Sequence, residues 1–300
     1  MRGDDLIALG APAAGTGRFV LGGAFGTEPA EDSFAKLDRF AAAGGRLVET
    51  AYSYARGRGK QVVGEWLRRN PGTLGVVTKI GHDMGGRDVA LTRATVLAQA
   101  GETVDVLGEP PEVVLFHCDD PAREVEELGA SLRALVEQGY AARVGVSNWC
   151  ADRLAALVTD FASAGASAPI AGYHRSLATP VAERYHGELP ADAAVLEIVE
   201  EHRLPLFSWS AQARGFFART GSASSSADPY ESATNRARRE RCRTLAAELG
   251  VEPGQVALAW SLACPLLWPS IGPRTLDQLA DSLAAATVEL TAEQRAWLVG

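Results

Sequence analysis

Short apolar runs rich in Val, Leu and Ile, bounded by glycine, proline or charge, recur along the whole chain. They read as strands at "FVLGGAF" (19–25), "RLVET" (46–50), "LGVVTKI" (74–80), "EVVLFHC" (112–118), "ARVGVSN" (142–148), "PIAGYH" (169–174), "LPLFSWS" (204–210) and "LLWPSIG" (266–272). Between them the apolar positions change to a helical period. The clearest case is "AREVEELGASLRALVEQG", where Val125, Leu128, Leu132, Leu135 and Val136 fall on one face and Gly139 supplies the stop. Further helices are predicted over 30–43, 59–70, 92–100, 150–164, 191–203, 235–249, 253–263 and 275–286.

The strands are apolar on both faces, as strands of a parallel sheet covered by helices must be. Eight strand–helix units with no domain-sized remainder predict an α/β protein of one domain, residues 1–300. The expected architecture is a closed (β/α)8 TIM barrel of eight parallel strands ringed by helices, with an open doubly wound sheet as the competing arrangement. The Ser/Ala/Gly-rich tract "RTGSASSSADPYESATN" (219–235) follows strand seven and reads as a long loop on the C-terminal face, mobile or ligand-gated, rather than as a linker.

Composition narrows the partners. The net charge is −8, and no basic cluster interleaved with aromatics is present to track a phosphate backbone, so no nucleic-acid partner is expected. The N-terminal stretch carries Arg2, Asp4 and Asp5 without an apolar segment of signal-peptide length, and no run is long enough for a membrane span. A cytoplasmic protein is expected, as a monomer or homo-oligomer. Cys118, Cys150, Cys242 and Cys264 lie far apart without metal-ligand spacing and read as small apolar residues in a reducing compartment, with no metal role.

Active sites of such barrels lie where strands end, so the polar residues there carry the chemistry. They are Glu49 and Tyr54 after strand two, Lys79 ending strand three, His117 ending strand four, Ser147 and Asn148 ending strand five, His174 ending strand six, Trp209 in strand seven and Arg274 after strand eight. A phenol is a poor acid at neutral pH, and an adjacent ammonium favours its phenolate and so eases proton donation to a developing alkoxide. A carboxylate holds that ammonium charged and oriented, and a histidine can bind the substrate oxygen. This is machinery for reducing a carbonyl.

At these residues the sequence resembles the aldo/keto reductases, and the likeness runs from "FVLGGAF" to "PSIGPRTLDQLADSL". The family's carboxylate–Thr–Ala–x–x–Tyr pattern is met by "ETAYSY", its lysine strand by "VVTKIG", its histidine strand by "VVLFHCDDP" and its strand-five signature by "RVGVSNW". Strand seven reads "SWSAQARGFF", a variant associated with bacterial members. The resemblance implies that Tyr54 is the proton donor, assisted by Lys79 and Glu49, with His117 orienting the carbonyl of an aldehyde or ketone, or the corresponding alcohol in reverse. Tyr52 is displaced by two residues from that position. A sugar-like substrate is suggested by Asp119, Arg56, Trp149 and Gln212 at the mouth.

The resemblance also implies NADP(H) or NAD(H) bound across the barrel mouth without a Rossmann fingerprint, and no G-x-G-x-x-G is present. Trp209 would stack on the nicotinamide, Ser147, Asn148 and His174 would address its carboxamide, and Ser210, Gln212 and Arg214 lie in the loop to Gly215 that would meet the pyrophosphate. Gly272, Arg274, Gln278 and Ser282 would hold the adenosine end. Arg274 precedes a helix whose free N–H groups suit a 2′-phosphate, which favours NADP(H) over NAD(H).

Two positions depart from the family: Glu49 stands for its aspartate, and "GYHRSL" replaces a strand-six Gln or Asn. These motivate an alternative, a cofactor-binding barrel that is catalytically weak and acts as a redox-responsive regulatory subunit. A third possibility is a glycoside hydrolase using Glu49 and Asp119. Elsewhere Glu49 has a structural partner available in Arg46 or Lys60, Trp66, Trp149, Trp260, Trp268 and Trp297 read as packing, and Arg236, Arg238, Arg239, Arg241 and Arg243 read as a solvated helix face.

Overall fold

A computed structural model of the chain describes residues 16–23, 25–182, 187–219 and 228–300. Eight strands, β1 (Val20–Leu21), β2 (Leu47–Glu49), β3 (Gly75–Ile80), β4 (Val113–Phe116), β5 (Arg143–Ser147), β6 (Ile170–His174), β7 (Leu206–Trp209) and β8 (Leu267–Ile271), pair in parallel in sequence order. β1 also pairs with β8, with Val20 opposite Ser270, so the sheet closes into a barrel without an edge. Each expected strand is present, trimmed at its ends.

The helices are α1 (Ala30–Ala42), α2 (Arg58–Arg69), α3 (Arg93–Leu107), α4 (Val125–Glu137), α5 (Ala151–Ser163), α6 (Ala193–Glu201), α7 (Ala233–Leu249), α8 (Pro253–Leu262), α9 (Leu276–Ala284) and α10 (Ala292–Val299). Local chemistry sets their ends. Thr92 caps α3 by accepting from the Thr95 N–H, and the helix runs on past the expected stop at residue 100 to Gly108, left-handed at φ 87°. α10 went unpredicted, although Thr291 and Gln294 form a capping box at its start.

Along α4, Val125, Leu128, Leu132 and Leu135 are buried, but Val136 is exposed: one residue beyond Leu135 the helix has turned by about 100° and carries Val136 off the stripe. α2 and α3 approach closely at Gly64, where a Cβ would stand 2.4 Å from the Val106 carbonyl oxygen. Only glycine permits this contact.

Inside the barrel, Val20, Leu47, Val77, Val113, Leu115, Ile170, Phe207 and Trp268 form one buried cluster. Strand side chains alternate between faces, so the residues two further on, Glu49, Lys79, His117 and Trp209, share this inward parity at the C-terminal end, and His174 shares it with Ile170. The apolar packing of the barrel floor thus aims the polar strand-end residues at one mouth.

Candidate active site

The loop after β2 begins the site. Thr50 and Tyr52 continue the pairing with β3 through their N–H groups, to Val77 O at 2.8 Å and Lys79 O at 2.7 Å. The chain then turns sharply: Ala55 (φ 51°), Arg56 (φ 56°) and Gly57 (φ 81°) are successive left-handed residues directly after Tyr54. Non-glycine residues resist that conformation. Among the described residues, six of the seven that adopt it, Ala55, Arg56, Asn148, Ser210, Ala213 and Arg214, lie in loops following β2, β5 and β7. Backbone strain is concentrated around the mouth, as expected of a site whose geometry matters.

Lys79 joins the centre together. Its ammonium contacts Glu49 Oε1 directly and donates to the Tyr54 phenolic oxygen at 3.1 Å. Glu49 and Lys79 are 7 % and 4 % exposed, whereas Tyr54 is 38 % exposed and presents its ring to the mouth. Burial disfavours the Lys79 ammonium, but the Glu49 carboxylate and Tyr54 outweigh it and hold its pKa above the usual lysine range. The longer Glu49 side chain therefore makes the lysine contact, and neither Arg46 nor Lys60 competes for it: Lys60 pairs with Glu102 at 3.0 Å.

His117 meets Tyr54 edge to face, with ring centroids 5.7 Å apart. Burial first, then the charges of Lys79 and His82, keep its pKa well below the ordinary histidine value, so the ring is neutral at neutral pH. Its Nδ1 is buried without a hydrogen-bond partner in the protein. His82, which sequence analysis passed over, stacks on it at 4.0 Å with an interplanar angle of 22°. The signal was present: His82 lies two residues beyond the end of β3, at the same mouth.

The remaining strand-end residues form the other side of the mouth. Asn148 donates from Nδ2 to His117 O and Ser147 Oγ, each at 3.1 Å, and accepts from the Leu189 N–H at 3.3 Å. His174 is buried edge-on to Trp209, centroids 5.3 Å apart, and its Nε2 is 3.0 Å from the Tyr230 hydroxyl. Gln212 donates to Ser282 Oγ at 2.9 Å, Ser282 donates to Gln278 O at 2.7 Å, and the Gln278 side chain accepts from the Arg274 N–H at 2.8 Å. Gly272 N–H reaches Gln212 Oε1 at 3.4 Å. Four separate stretches of sequence thus become one polar wall. Arg274 stands exposed at the start of α9, and Arg214 in the strained turn after β7. Of the serine-rich tract, residues 220–227 lie outside the described residues; Arg219 and Asp228 on either side form an ion pair.

Several expectations are revised. Asp119 is held by Arg153 through Nε at 2.6 Å and Nη2 at 3.0 Å and Trp149 is fully buried under Arg153, so of the residues expected to favour a sugar-like substrate these two are turned to structural contacts, while Arg56 is exposed. The same pairings withdraw Glu49 and Asp119 as a hydrolytic carboxylate pair. Trp297 is 46 % exposed rather than packed, because it sits on the outer face of the terminal helix α10. The arginine run is only partly solvated: Arg239 is buried over the Phe216 ring at 4.7 Å, and Arg238 and Arg241 bond to carbonyls of Leu177 and of Leu298 and Val299.

Comparison with known proteins agrees with this geometry. Residues 7–298 match the Aldo/keto reductase family. The chain is 25 % identical to versiconal hemiacetal acetate reductase of Aspergillus parasiticus over 89 % of this chain and 86 % of that protein. It is 26 % identical to norsolorinic acid reductase stcV of Emericella nidulans over 90 % and 72 % of the respective chains. An uncharacterized oxidoreductase, YrpG of Bacillus subtilis, is 35 % identical but over only 35 % of this chain and 34 % of its own. The bacterial association drawn from strand seven is therefore not supported, since these two long alignments are to fungal proteins. With its barrel closed, its lysine set between carboxylate and phenol and almost its whole length matched, the chain belongs to the aldo/keto reductase family and is an NAD(P)H-dependent oxidoreductase.

Proposed function

We propose that the protein is an NADP(H)-dependent reductase of small aldehydes or ketones, able to run in reverse from the alcohol, with Tyr54 as proton donor. One observation carries this: a buried ammonium, neutralised by Glu49, lies 3.1 Å from the only partly covered Tyr54 hydroxyl. When Tyr54 gives its proton to the substrate oxygen, the phenolate left behind faces Lys79, which stabilises it at the moment it forms. His117, neutral, hydrogen-bonds the same oxygen without competing with Tyr54 as an acid. Glu49 keeps the lysine oriented, and because that contact is made, Glu49 no longer argues for a catalytically weak regulatory barrel.

The residues present fit the nicotinamide cofactor of the family. Trp209 would lie against its ring, with Ser147, Asn148 and His174 near the carboxamide. Ser210, Gln212 and Arg214 would meet the pyrophosphate, and Gly272, Arg274, Gln278 and Ser282 the adenosine end. An added Cβ at Gly215 or Gly272 would meet nothing within 4 Å, so the backbone along this wall is open to a ligand. Bound there, the cofactor supplies the hydride taken up by the carbonyl carbon. Arg274, exposed at the N-terminus of α9, supports the preference for NADP(H) through its attraction for a 2′-phosphate.

The carbonyl class is retained without a preference for sugars. Among the described residues no helix is long and apolar enough to cross a membrane, and all four cysteines are free thiols. Titration with NADPH and with NADH, followed by tryptophan fluorescence, tests the reading. Quenching at micromolar NADPH, with NADH at least about tenfold weaker, is expected. Equal affinity removes the Arg274 assignment, and absence of binding by either in folded protein removes the reductase.

A further inference from the structure

Beside the proton-donor centre, the loop after β3 folds back on itself. Val89 N–H donates to Gly81 O at 3.0 Å and Asp83 N–H to Arg87 O at 2.8 Å, an antiparallel bridge that sets His82 directly opposite Asp88. Cys118 is brought to the same point from β4, whose end is pinned to β3 by the bond from His117 N–H to Ile80 O at 2.8 Å. The three functional atoms converge: His82 Nε2 is 3.0 Å from Asp88 Oδ1 and 3.2 Å from Cys118 Sγ, and Cys118 Sγ is 3.0 Å from Asp88 Oδ1. A nitrogen, a sulfur and a carboxylate oxygen meeting in one triangle, on two backbone-anchored loops, is a ligand set for a cation and not needed for carbonyl reduction.

We propose that His82, Asp88 and Cys118 form a binding site for a divalent transition metal, zinc by preference, and that its occupancy inhibits the enzyme. Zinc accepts imidazole, thiolate and carboxylate together at about 2.0–2.3 Å. Tetrahedral bonds of that length separate ligand atoms by roughly 3.4 Å, so each edge of the observed triangle must open by only a few tenths of an ångström. Harder cations such as magnesium and calcium disfavour this sulfur- and nitrogen-containing set. On binding, the Cys118 Sγ–H proton leaves to solvent and the Sγ–metal bond replaces it; no electron is transferred. Asp88 is exposed, giving the ion a route in.

Inhibition follows from where the site sits. The His82 ring that takes the metal is the one stacked 4.0 Å from His117, which on the proposed function, on which the inhibition rests, orients the substrate oxygen. A dication there pulls on the electron density of the stacked pair and fixes His82 in the mouth. His82 and Asp88 share one loop, but Cys118 joins them from the end of the next strand, so spacing patterns do not reveal the set, which revises the reading of Cys118 as merely apolar.

Cobalt(II) titration of the full-length protein is the direct test, because a thiolate ligand produces a charge-transfer band in the near ultraviolet and tetrahedral coordination intensifies the visible bands. One equivalent of cobalt should bind, zinc should displace it, and Cys118→Ser should abolish the charge-transfer band while Cys150→Ser keeps it. Asp88→Asn should weaken binding by about tenfold or more. Zinc should lower the rate of carbonyl reduction in the wild type at least about tenfold more, relative to each protein's own metal-free rate, than in Cys118→Ser. Absence of a band, or an unchanged band in Cys118→Ser, overturns the site; stoichiometric binding without any change in turnover overturns the inhibition. Binding is read by absorbance, so it stands or fails independently of whether the carbonyl reductase assignment holds.

Discussion

Two tyrosine–lysine–glutamate triads lie side by side in this protein, one inside the barrel and one behind it. In the inner triad the lysine stands in the middle: Lys79 contacts Glu49 and donates to Tyr54. In the outer triad the carboxylate stands in the middle: Tyr52 donates to Glu102 Oε2 at 2.5 Å, Lys60 pairs with Glu102 at 3.0 Å, and the Lys60 ammonium lies 3.8 Å from the Tyr52 ring centroid. The residue types are the same and the order is opposite. Burial, then the hydrogen bond to and charge of Glu102, push the Tyr52 phenol up to about 12, so it keeps its proton. The Tyr54 phenol faces an ammonium instead. On the proposed function, which ion touches the hydroxyl separates a proton donor from a structural strut.

Exchanging the two tyrosines' hydroxyls for hydrogen is the sharpest way to break the comparison. Tyr54→Phe should lower kcat by at least about 10³-fold with NADPH affinity unchanged, whereas Tyr52→Phe should keep kcat within about threefold and lose about 1 kcal/mol of stability. Comparable kcat losses in the two variants would show that the order of the triad is irrelevant. Steady-state kinetics and urea unfolding supply both numbers.

The lysines come next. Lys79→Met leaves the buried Glu49 without its ammonium and should destabilise the fold by about 3–5 kcal/mol, while Lys60→Met leaves Glu102 open to water and should cost about 1 kcal/mol or less. The Glu102 side chain is 46 % exposed against 9 % for that of Glu49, which is the source of the difference. Equal unfolding free energies for the two variants would contradict it.

The pH dependence of stability offers a smaller effect with a definite sign. His117 has a folded pKa held well below its unfolded value of about 6.5, so beneath that pH the unfolded chain binds a proton that the folded protein does not. Stability therefore falls as pH drops below about 6.5, towards the folded value, by up to about 1.4 kcal/mol per pH unit from this group. His117→Gln should flatten that limb of the urea-unfolding profile by the corresponding amount, and an unaltered slope would mean that the ring is charged in the native state.

Glu49→Asp is the finest probe. Because Glu49 already reaches Lys79, shortening it should leave kcat unchanged or up to about tenfold lower, and it should not raise it. A marked gain in kcat would show that the extra methylene misplaces the lysine after all.

Much of this was legible in the chain. Short apolar runs bounded by glycine, proline or charge located all eight strands, and the polar residues at their C-terminal ends marked the mouth. Helix ends were less legible where an unrecognised cap, such as Gly108 or Thr291, carried the signal. Val136 and Trp297 were misjudged because hydrophobicity says that a side chain can be buried, and only its angular position decides whether it is.

By itself, then, the sequence determined the barrel and singled out Glu49, Tyr54, Lys79 and His117 as candidates for its centre, because apolar runs and the polar residues that close them are local properties that need no knowledge of partners. Only the tertiary structure decided the pairings: Lys60 with Glu102 rather than Glu49, Asp119 with Arg153, His174 with Tyr230, and His82 with Asp88 and Cys118. Those contacts join helices, loops and strand ends brought together by the fold, and their distances depend on how the barrel closes, which no spacing along the chain encodes. The chemistry of each group follows from the neighbour it acquires there, since the same tyrosine beside a carboxylate or beside an ammonium is a different acid.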